Sequence, residues 1–372
     1  MNNTQENQTP QEAITQELKC SGCGALLKYA AGTRKLVCMY CGAENNIIDR
    51  TDRIEEIDFE RFVSEQLAKE EKIEIATVQC TACGATVTFQ PDITADHCPY
   101  CSANIVVKSG STSTLLKPRF LVPFDVDKKK ALGLFQGWLT SRWFAPSNLK
   151  KRAAGGQLDG VYIPYWTYDA RAHTGYRGER GTHYYTTESY TTRENGRMVR
   201  RTRQVRHTRW TPASGEVDNA FNDILVPANT ALPEKYVNAL EPWRLQALLP
   251  FNEQYLSGFR AQSYQVDLKE GFVIAKQRMQ PTIDNTIRRD IGGDEQRIHS
   301  KTSVYSKVTF KHILLPIWIS SYRYGAKIYR FLVNGQSGEI QGERPYSAVK
   351  IALCVLGLLA AAAVVFFLIV NR

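Results

Sequence analysis

Eight of the nine cysteines fall into two groups of four with one internal spacing. Cys20, Cys23, Cys38 and Cys41 make the first group; Cys80, Cys83, Cys98 and Cys101 make the second. Each reads C-x2-C-x14-C-x2-C. A C-x2-C turn points two thiolates at one ion, and two such turns brought together by a hairpin complete a tetrahedral S4 site. Gly24 and Gly84 follow the second cysteine of each group, where a tight knuckle asks for positive φ. Ala25 matches Ala85 and Tyr40 matches Tyr100, so the duplication covers whole modules. The spacing predicts two zinc ions per chain, one in each of two tandem zinc ribbons. Iron is the chemical rival. Disulfides are the other, but the polar stretch Met1–Glu17 has no apolar run of the kind that marks export. With four protein sulfurs per ion no coordination place is left for water or substrate, which argues against metal catalysis. His97, beside Cys98, is expected as an exposed ribbon residue and not as a further ligand.

The second chemical feature is arginine. Residues 171–210 hold ten arginines and no lysine, against Glu179, Glu188 and Glu194. Thr182–Arg193 and Arg197–Trp210 predict a hairpin closed by Asn195-Gly196, a type I′ turn signal. A two-residue loop there sets Glu188 opposite Arg203, Tyr190 opposite Arg201 and Tyr185 opposite Arg206, which suits ion pairs and cation–π contacts. Three readings remain open for this surface. It is a solvated, self-paired sheet face, a site for an anionic membrane or protein partner centred on Arg200, Arg201, Arg203 and Arg206, or a nucleic-acid surface.

No catalytic residue is marked. There is no G-x-x-x-x-G-K-[ST] loop and no G-x-S-x-G elbow. Asp294-Glu295 reads as a loop, Asp218 and Asp223 as ordinary carboxylates, and His173, His183 and His207 have no nucleophile marked beside them. The expectation is a protein that is not an enzyme.

These features need elements to hold them. The chain has 372 residues and a net charge of +10, enough for two or three domains. Residues 1–17 read as a disordered tail, 18–48 as the first ribbon and 77–108 as the second. Between them, 49–76 reads as an acidic helical linker with Ile54, Ile57, Phe62 and Val63 at helical intervals. Residues 115–345 read as a mixed strand and helix domain with antiparallel hairpins. A helix is expected over about 128–143, capped by Asp125 or Asp127 and packing through Ala131, Leu134, Phe135, Trp138 and Leu139. Residues 234–260 read as helical, interrupted at Pro250. Asp267–Ile291 is another helix, broken or kinked at Pro281. Strands are expected at Val161–Tyr168, Ser303–Lys311, Ile313–Tyr324 and Lys327–Val333, with a hairpin turn at Asn334-Gly335. Ile163-Pro-Tyr-Trp166 and Leu315-Pro-Ile-Trp318 look alike and suggest a diverged internal repeat. The class is α+β.

Ile351–Val370 is uncharged and without proline. As a helix it spans ~30 Å, the thickness of the hydrocarbon core, so 350–370 is expected as a single transmembrane helix acting as a tail anchor in membrane lipid. Cys354 within it reads as a small apolar residue. Arg344, Lys350 and the basic bulk precede the span, which places the globular part in the cytoplasm, a compartment that keeps thiolates reduced.

Four further segments carry a resemblance. They are Pro123-Phe-Asp-Val-Asp127, Trp138-Leu-Thr-Ser-Arg-Trp-Phe-Ala-Pro146, Val161-Tyr-Ile-Pro-Tyr-Trp-Thr-Tyr-Asp-Ala170 and Tyr329-Arg-Phe-Leu-Val-Asn-Gly-Gln-Ser-Gly338. With the ribbons and the anchor, the chain resembles a bacterial family of zinc-ribbon proteins with a C-terminal membrane helix. Members are often labelled homologues of the primosomal replication helicase, replication factor Y. The helicase motor motifs are missing here, so that label carries no residues across. The family's setting, near phage-shock-type and flotillin-like membrane proteins, implies a scaffold of the bacterial cytoplasmic membrane with partners of that kind. A membrane-tethered nucleic-acid-binding protein is the alternative.

Overall fold

A computed structural model describes residues 18–49, 53–66, 72–89, 95–106, 111–147, 149, 158–194, 196–325 and 327–370. The expected tail 1–17 and Asn195 lie outside them. The first four-cysteine module carries β1 (Leu27–Tyr29), β2 (Lys35–Cys38) and β3 (Glu44–Asn46). The chain then passes through β4 (Ile57–Asp58) into α1 (Phe59–Arg61), which continues as a single wide turn over Phe62–Gln66. The second module holds β5 (Lys72–Gln79), β6 (Thr86–Phe89), β7 (Ala95–His97), β8 (Asn104–Val106) and β9 (Ser111–Leu116). The body follows with β10 (Phe120–Leu121), α2 (Lys128–Thr140), β11 (Leu158–Glu194), β12 (Arg197–Pro227) and α3 (Glu234–Asn238). It continues through β13 (Leu249–Pro250), β14 (Arg260–Ala261), α4 (Leu268–Ile291), β15 (Glu295–Tyr324), β16 (Lys327–Asn334) and β17 (Ile340–Gly342). The C-terminal α5 spans Ala348–Val370.

The class is α+β, and two long antiparallel strands organise it. β11 pairs with β15 from Leu158↔Ser320 to Gly181↔Glu295, and β12 pairs with β11 out to Glu194↔Arg197. The two strands expected at Ser303–Lys311 and Ile313–Tyr324 are one continuous element. Side chains alternate across this sheet as the pleat requires. Val161, Ile163, Tyr165, Ile313, Leu315 and Ile317 point to the face that carries the second four-cysteine module. Tyr162 and Trp318 point to the opposite face, into a core shared with α2 and the first module. Trp166, Tyr168 and Ala172 share that face and meet α4.

The two similar P-x-W segments face each other, Ile163 opposite Leu315. Their surroundings repeat as well. Trp166 Nε1 donates to the Val266 carbonyl at 2.9 Å, and Trp318 Nε1 donates to the Val126 carbonyl at 2.7 Å. The next residue after each valine caps a helix: Asp127 accepts from Lys130 N, and Asp267 from Glu270 N. β10 lies parallel to β15 as β14 lies parallel to β11. Ala228 N reaches Pro164 O as Gly335 N reaches Pro316 O. The body is therefore two copies of a strand–helix–hairpin unit related by an approximate two-fold axis between β11 and β15.

Three expectations need correction. The segment 49–76 is helical only at Phe59–Gln66 among the described residues; Ile57 instead pairs with Phe310 on β15. Lys72–Gln79 forms β5 between β6 and β9, in keeping with its β-branched residues Ile73, Ile75, Thr77 and Val78. The second module's sheet thus extends on both sides of 77–108. The helical content of 234–260 is limited to α3 and two 3-10 turns, at Leu245–Ala247 and Glu253–Leu256, with β13 between the turns. Pro242 and Pro250 withhold the N–H groups that a longer helix needs. Third, α4 runs unbroken through Pro281. Its buried stripe is Gly271, Ala275, Met279, Ile283, Ile287 and Ile291, while Pro281 is on the solvent face, where water can take the freed carbonyl. Gly271 is required in that stripe, since a Cβ there would lie 2.4 Å from Tyr168 Oη.

Candidate metal centres and the basic arm

In each module the four sulfurs converge, all within 4.8 Å of one another. Cys20–Cys41 and Cys23–Cys38 are 3.4 Å apart; Cys80–Cys101 and Cys83–Cys98 are 3.6 and 3.8 Å apart. A metal with sulfur ligands at ~2.3 Å in a tetrahedron sets its sulfurs ~3.8 Å apart, whereas a disulfide needs ~2.05 Å. The donor sets fit one metal ion each. The knuckles are built alike: Gly24 N donates to Cys20 O and Gly84 N to Cys80 O, with φ of 74° and 75° at the two glycines.

Backbone N–H groups prepare the thiolates. Those of Gly22 and Cys23 lower the Cys20 thiol, and those of Cys41 and Tyr40 bring Cys38 down to about 6. Cys23 and Cys41 go the other way: against the backbone N–H groups of Ala25 and Ala43, hydrogen bonds to neighbouring thiols raise them. In the second module burial opposes the backbone donors, which still prevail at Cys80. Burial outweighs the single backbone donor at Cys98 and pushes that thiol up, and it lifts Cys101 to about 11. A bound cation reverses such shifts by holding the charge.

The modules differ in how far the body encloses them. Cys23 and Cys41 are exposed, while Cys101 is buried and Cys83 half-buried. Tyr100, in the second knuckle, is wholly buried; Arg330 Nε donates to its carbonyl at 2.7 Å and Asn229 to its hydroxyl at 3.4 Å. His97 is not the exposed residue expected. Its Nε2 meets Asp159 at 2.8 Å, and Arg260 clasps Asp96 at 2.5 Å and the His97 carbonyl at 2.8 Å. It docks the module and points to no metal. The first module is held from its other side: Tyr29 Oη donates to Phe124 O, Tyr255 Oη to Asp49, and Ser257 Oγ to Leu27 O. Its knuckle residues Met39 and Tyr40 stay 69% and 86% exposed.

Linker and sheet meet at an ion cluster around the buried Lys311 that sequence reasoning missed. Lys311 Nζ lies 2.7 Å from Asp223 and 3.2 Å from Glu56. Asp223 occupies a β-bulge at positive φ, and its N–H donates to Asp169. Burial raises the Asp169 carboxyl to about 6. A lysine in a strand between Phe310 and Ile313 was the available signal.

Beyond Gly181↔Glu295 the β11–β12 hairpin leaves the sheet and continues as a two-stranded arm, roughly 40 Å long at a strand's ordinary rise. The predicted register holds: Glu188 faces Arg203, Tyr190 faces Arg201 and Tyr185 faces Arg206. The four singled-out arginines do not share a surface. Arg201 and Arg203 lie on one face, bonded to Glu194 at 2.7 Å and Glu188 at 3.1 Å, with Arg203 also over Tyr190. Arg200 and Arg206 alternate to the other face with Arg193 and Tyr185, where no carboxylate stands among the described residues of the arm. His183 at the arm's base bonds Glu295 at 2.8 Å.

At the opposite end of β11, α5 is long and apolar enough to cross a membrane, and none of its residues is buried.

No family model matches the chain, and no solved structure matches it. The chain is similar to an uncharacterized protein, YdjG, of Bacillus subtilis (strain 168), with 25% identity over 347 residues covering 91% of this chain and 93% of that one. Nothing in these comparisons supports the primosomal label.

Proposed function

We propose that this protein is a non-enzymatic scaffold anchored by α5 in the bacterial cytoplasmic membrane, its body in the cytoplasm, presenting zinc-ribbon surfaces to protein partners. Membrane stress or membrane organisation is the setting that the family resemblance implies, with phage-shock-type or flotillin-like membrane proteins as partners. The observation that carries the reading is the contrast between Tyr40 and Tyr100. The second knuckle lies against a protein surface that takes the tyrosine and bonds its backbone carbonyl. The first knuckle offers the same tyrosine to solvent, in a module where Leu26 and Ile48 are also exposed. Closed S4 sites suit structural zinc, which supplies folding energy and no chemistry. Replacing Met39 and Tyr40 with serine should remove co-purifying proteins from solubilised membranes while both metal ions stay bound. Unchanged co-purification would count against the scaffold.

A membrane-tethered nucleic-acid binder is the second reading, favoured by the arm face of Arg193, Arg200 and Arg206. A two-stranded ribbon can enter a major groove. Against it, the other face of the arm pairs Arg201 and Arg203 with its own glutamates.

A further inference from the structure

The residues that follow α2 wrap the first turn of α5. Ser347 N donates to Phe144 O at 2.8 Å, and Lys350 Nζ donates to the carbonyls of Trp143 and Ala145 at 3.1 and 2.8 Å. Between this loop and the helix opens a cleft of about 460 Å³. Leu139 and Leu149 give it an apolar floor; Arg142, Ser147 and Lys350 give it polar walls, and no carboxylate lines it among the described residues. Arg142 is exposed and stacked on the Trp138 ring at 5.1 Å, with no carboxylate partner among the described residues. Lys350 has three donors and gives two to the loop, so one remains for the cleft.

The level of the cleft identifies its ligand. Ile351, the first residue of the apolar run, directly follows Lys350, a rise of ~1.5 Å along the axis. A helix that spans the bilayer therefore sets the cleft mouth among the headgroups. Trp143 is 78% exposed beside Phe144, the position that aromatic side chains take at a membrane interface. We propose that this cleft binds the phosphate of an anionic phospholipid, Arg142 and Lys350 taking the phosphate and the exposed Trp143 ring taking the glycerol and upper acyl chain. Two cations, with no acid lining the cleft among the described residues, favour a headgroup of net negative charge over a zwitterionic one, whose own cation they repel. The exposed Trp143 ring favours a lipid over free phosphate. The proposal rests on α5 being the membrane anchor.

The test uses the full chain in vesicles of phosphatidylcholine with a minor fraction of phosphatidylglycerol. Flotation first reports anchoring; a wild-type chain that does not float overturns both readings. Mild detergent extraction and native mass spectrometry then count retained lipids. The wild type should keep one phosphatidylglycerol per chain. Arg142→Gln should keep about fivefold less, the effect of one basic residue near an anionic headgroup, and Arg142→Lys should keep most of it; both variants should float normally. Excess inorganic phosphate should displace nothing. Equal retention by wild type and Arg142→Gln, equal retention of the two lipids, or displacement by inorganic phosphate would each overturn the lipid site while leaving the anchor standing.

Discussion

Tyr40 and Tyr100 hold the same place in two duplicated four-cysteine modules, yet Tyr40 is 86% exposed and Tyr100 is completely buried. The body closes over one knuckle and leaves the other open, although both arise from the same spacing of cysteines. Both modules contribute to the core, and duplication has left one knuckle closed by the body and the other open to solvent.

Metal release should follow that difference. Analysis of purified protein should find two zinc ions per chain, and Cys20→Ser and Cys80→Ser should each remove one. Under a chromophoric chelator the first equivalent should leave rapidly from the exposed Cys23–Cys41 side and the second much more slowly. Cys20→Ser should abolish the fast phase, and Cys80→Ser the slow one. A single phase of two equivalents, or bound iron, would contradict this.

Glycine to alanine in a helix interior ordinarily stabilises by ~1 kcal/mol. Gly271→Ala should do the opposite by about 1–3 kcal/mol, because overpacking has no relief here. Tyr168 Oη is fixed by a 2.7 Å hydrogen bond to Leu268 O, and the Trp166 ring stands 2.9 Å from the new Cβ. Denaturant melts of the full chain in detergent would read the sign directly.

His312 gives the body a pH dependence. Its ring is buried between Trp166 and Tyr264, with centroids 4.4 and 5.5 Å away, and burial brings its pKa down to about 3. The unfolded chain binds this proton near pH 6.5 and the folded chain does not. Stability should be fully present above pH 6.5 and fall as pH drops from 6.5 toward 3. His312→Leu should flatten that fall. Thermal melts across this range would check it, and parallel slopes in the two proteins would refute the assignment.

The arm should behave as two faces. If it meets an anionic partner, Arg193, Arg200 and Arg206 should matter more than Arg201 and Arg203, whose charges Glu194 and Glu188 offset. Duplex DNA binding at physiological salt should be weak in either variant. Submicromolar affinity with a steep salt dependence, lost with the first set only, would instead favour the nucleic-acid reading.

Local features were legible in the sequence. Cysteine spacing located both S4 sites, Asn195-Gly196 set the arm's register, and Asp127 marked the start of α2. The two P-x-W segments hinted at the two-fold, and Val126-Asp127 with Val266-Asp267 would have extended it, since both pairs sit just before a helix. What stayed hidden depends on contacts distant in sequence. Nothing near Tyr100 announces Arg330 and Asn229, and nothing near His97 announces Asp159. The β-branched residues of Lys72–Gln79 were overlooked beside the acidity of the linker, and prolines outweighed the apolar content of 234–260.

The scaffold reading is tested most directly at Tyr40. A photoreactive benzoylphenylalanine at this position, introduced in the full-length chain in living cells, should form discrete adducts in the membrane fraction that are destroyed by protease and resist nuclease. The same residue placed at Tyr190 on the arm should yield few. Absence of protein adducts at Tyr40, or nuclease-sensitive adducts concentrated at Tyr190, would contradict the scaffold and point to the arm as the working surface.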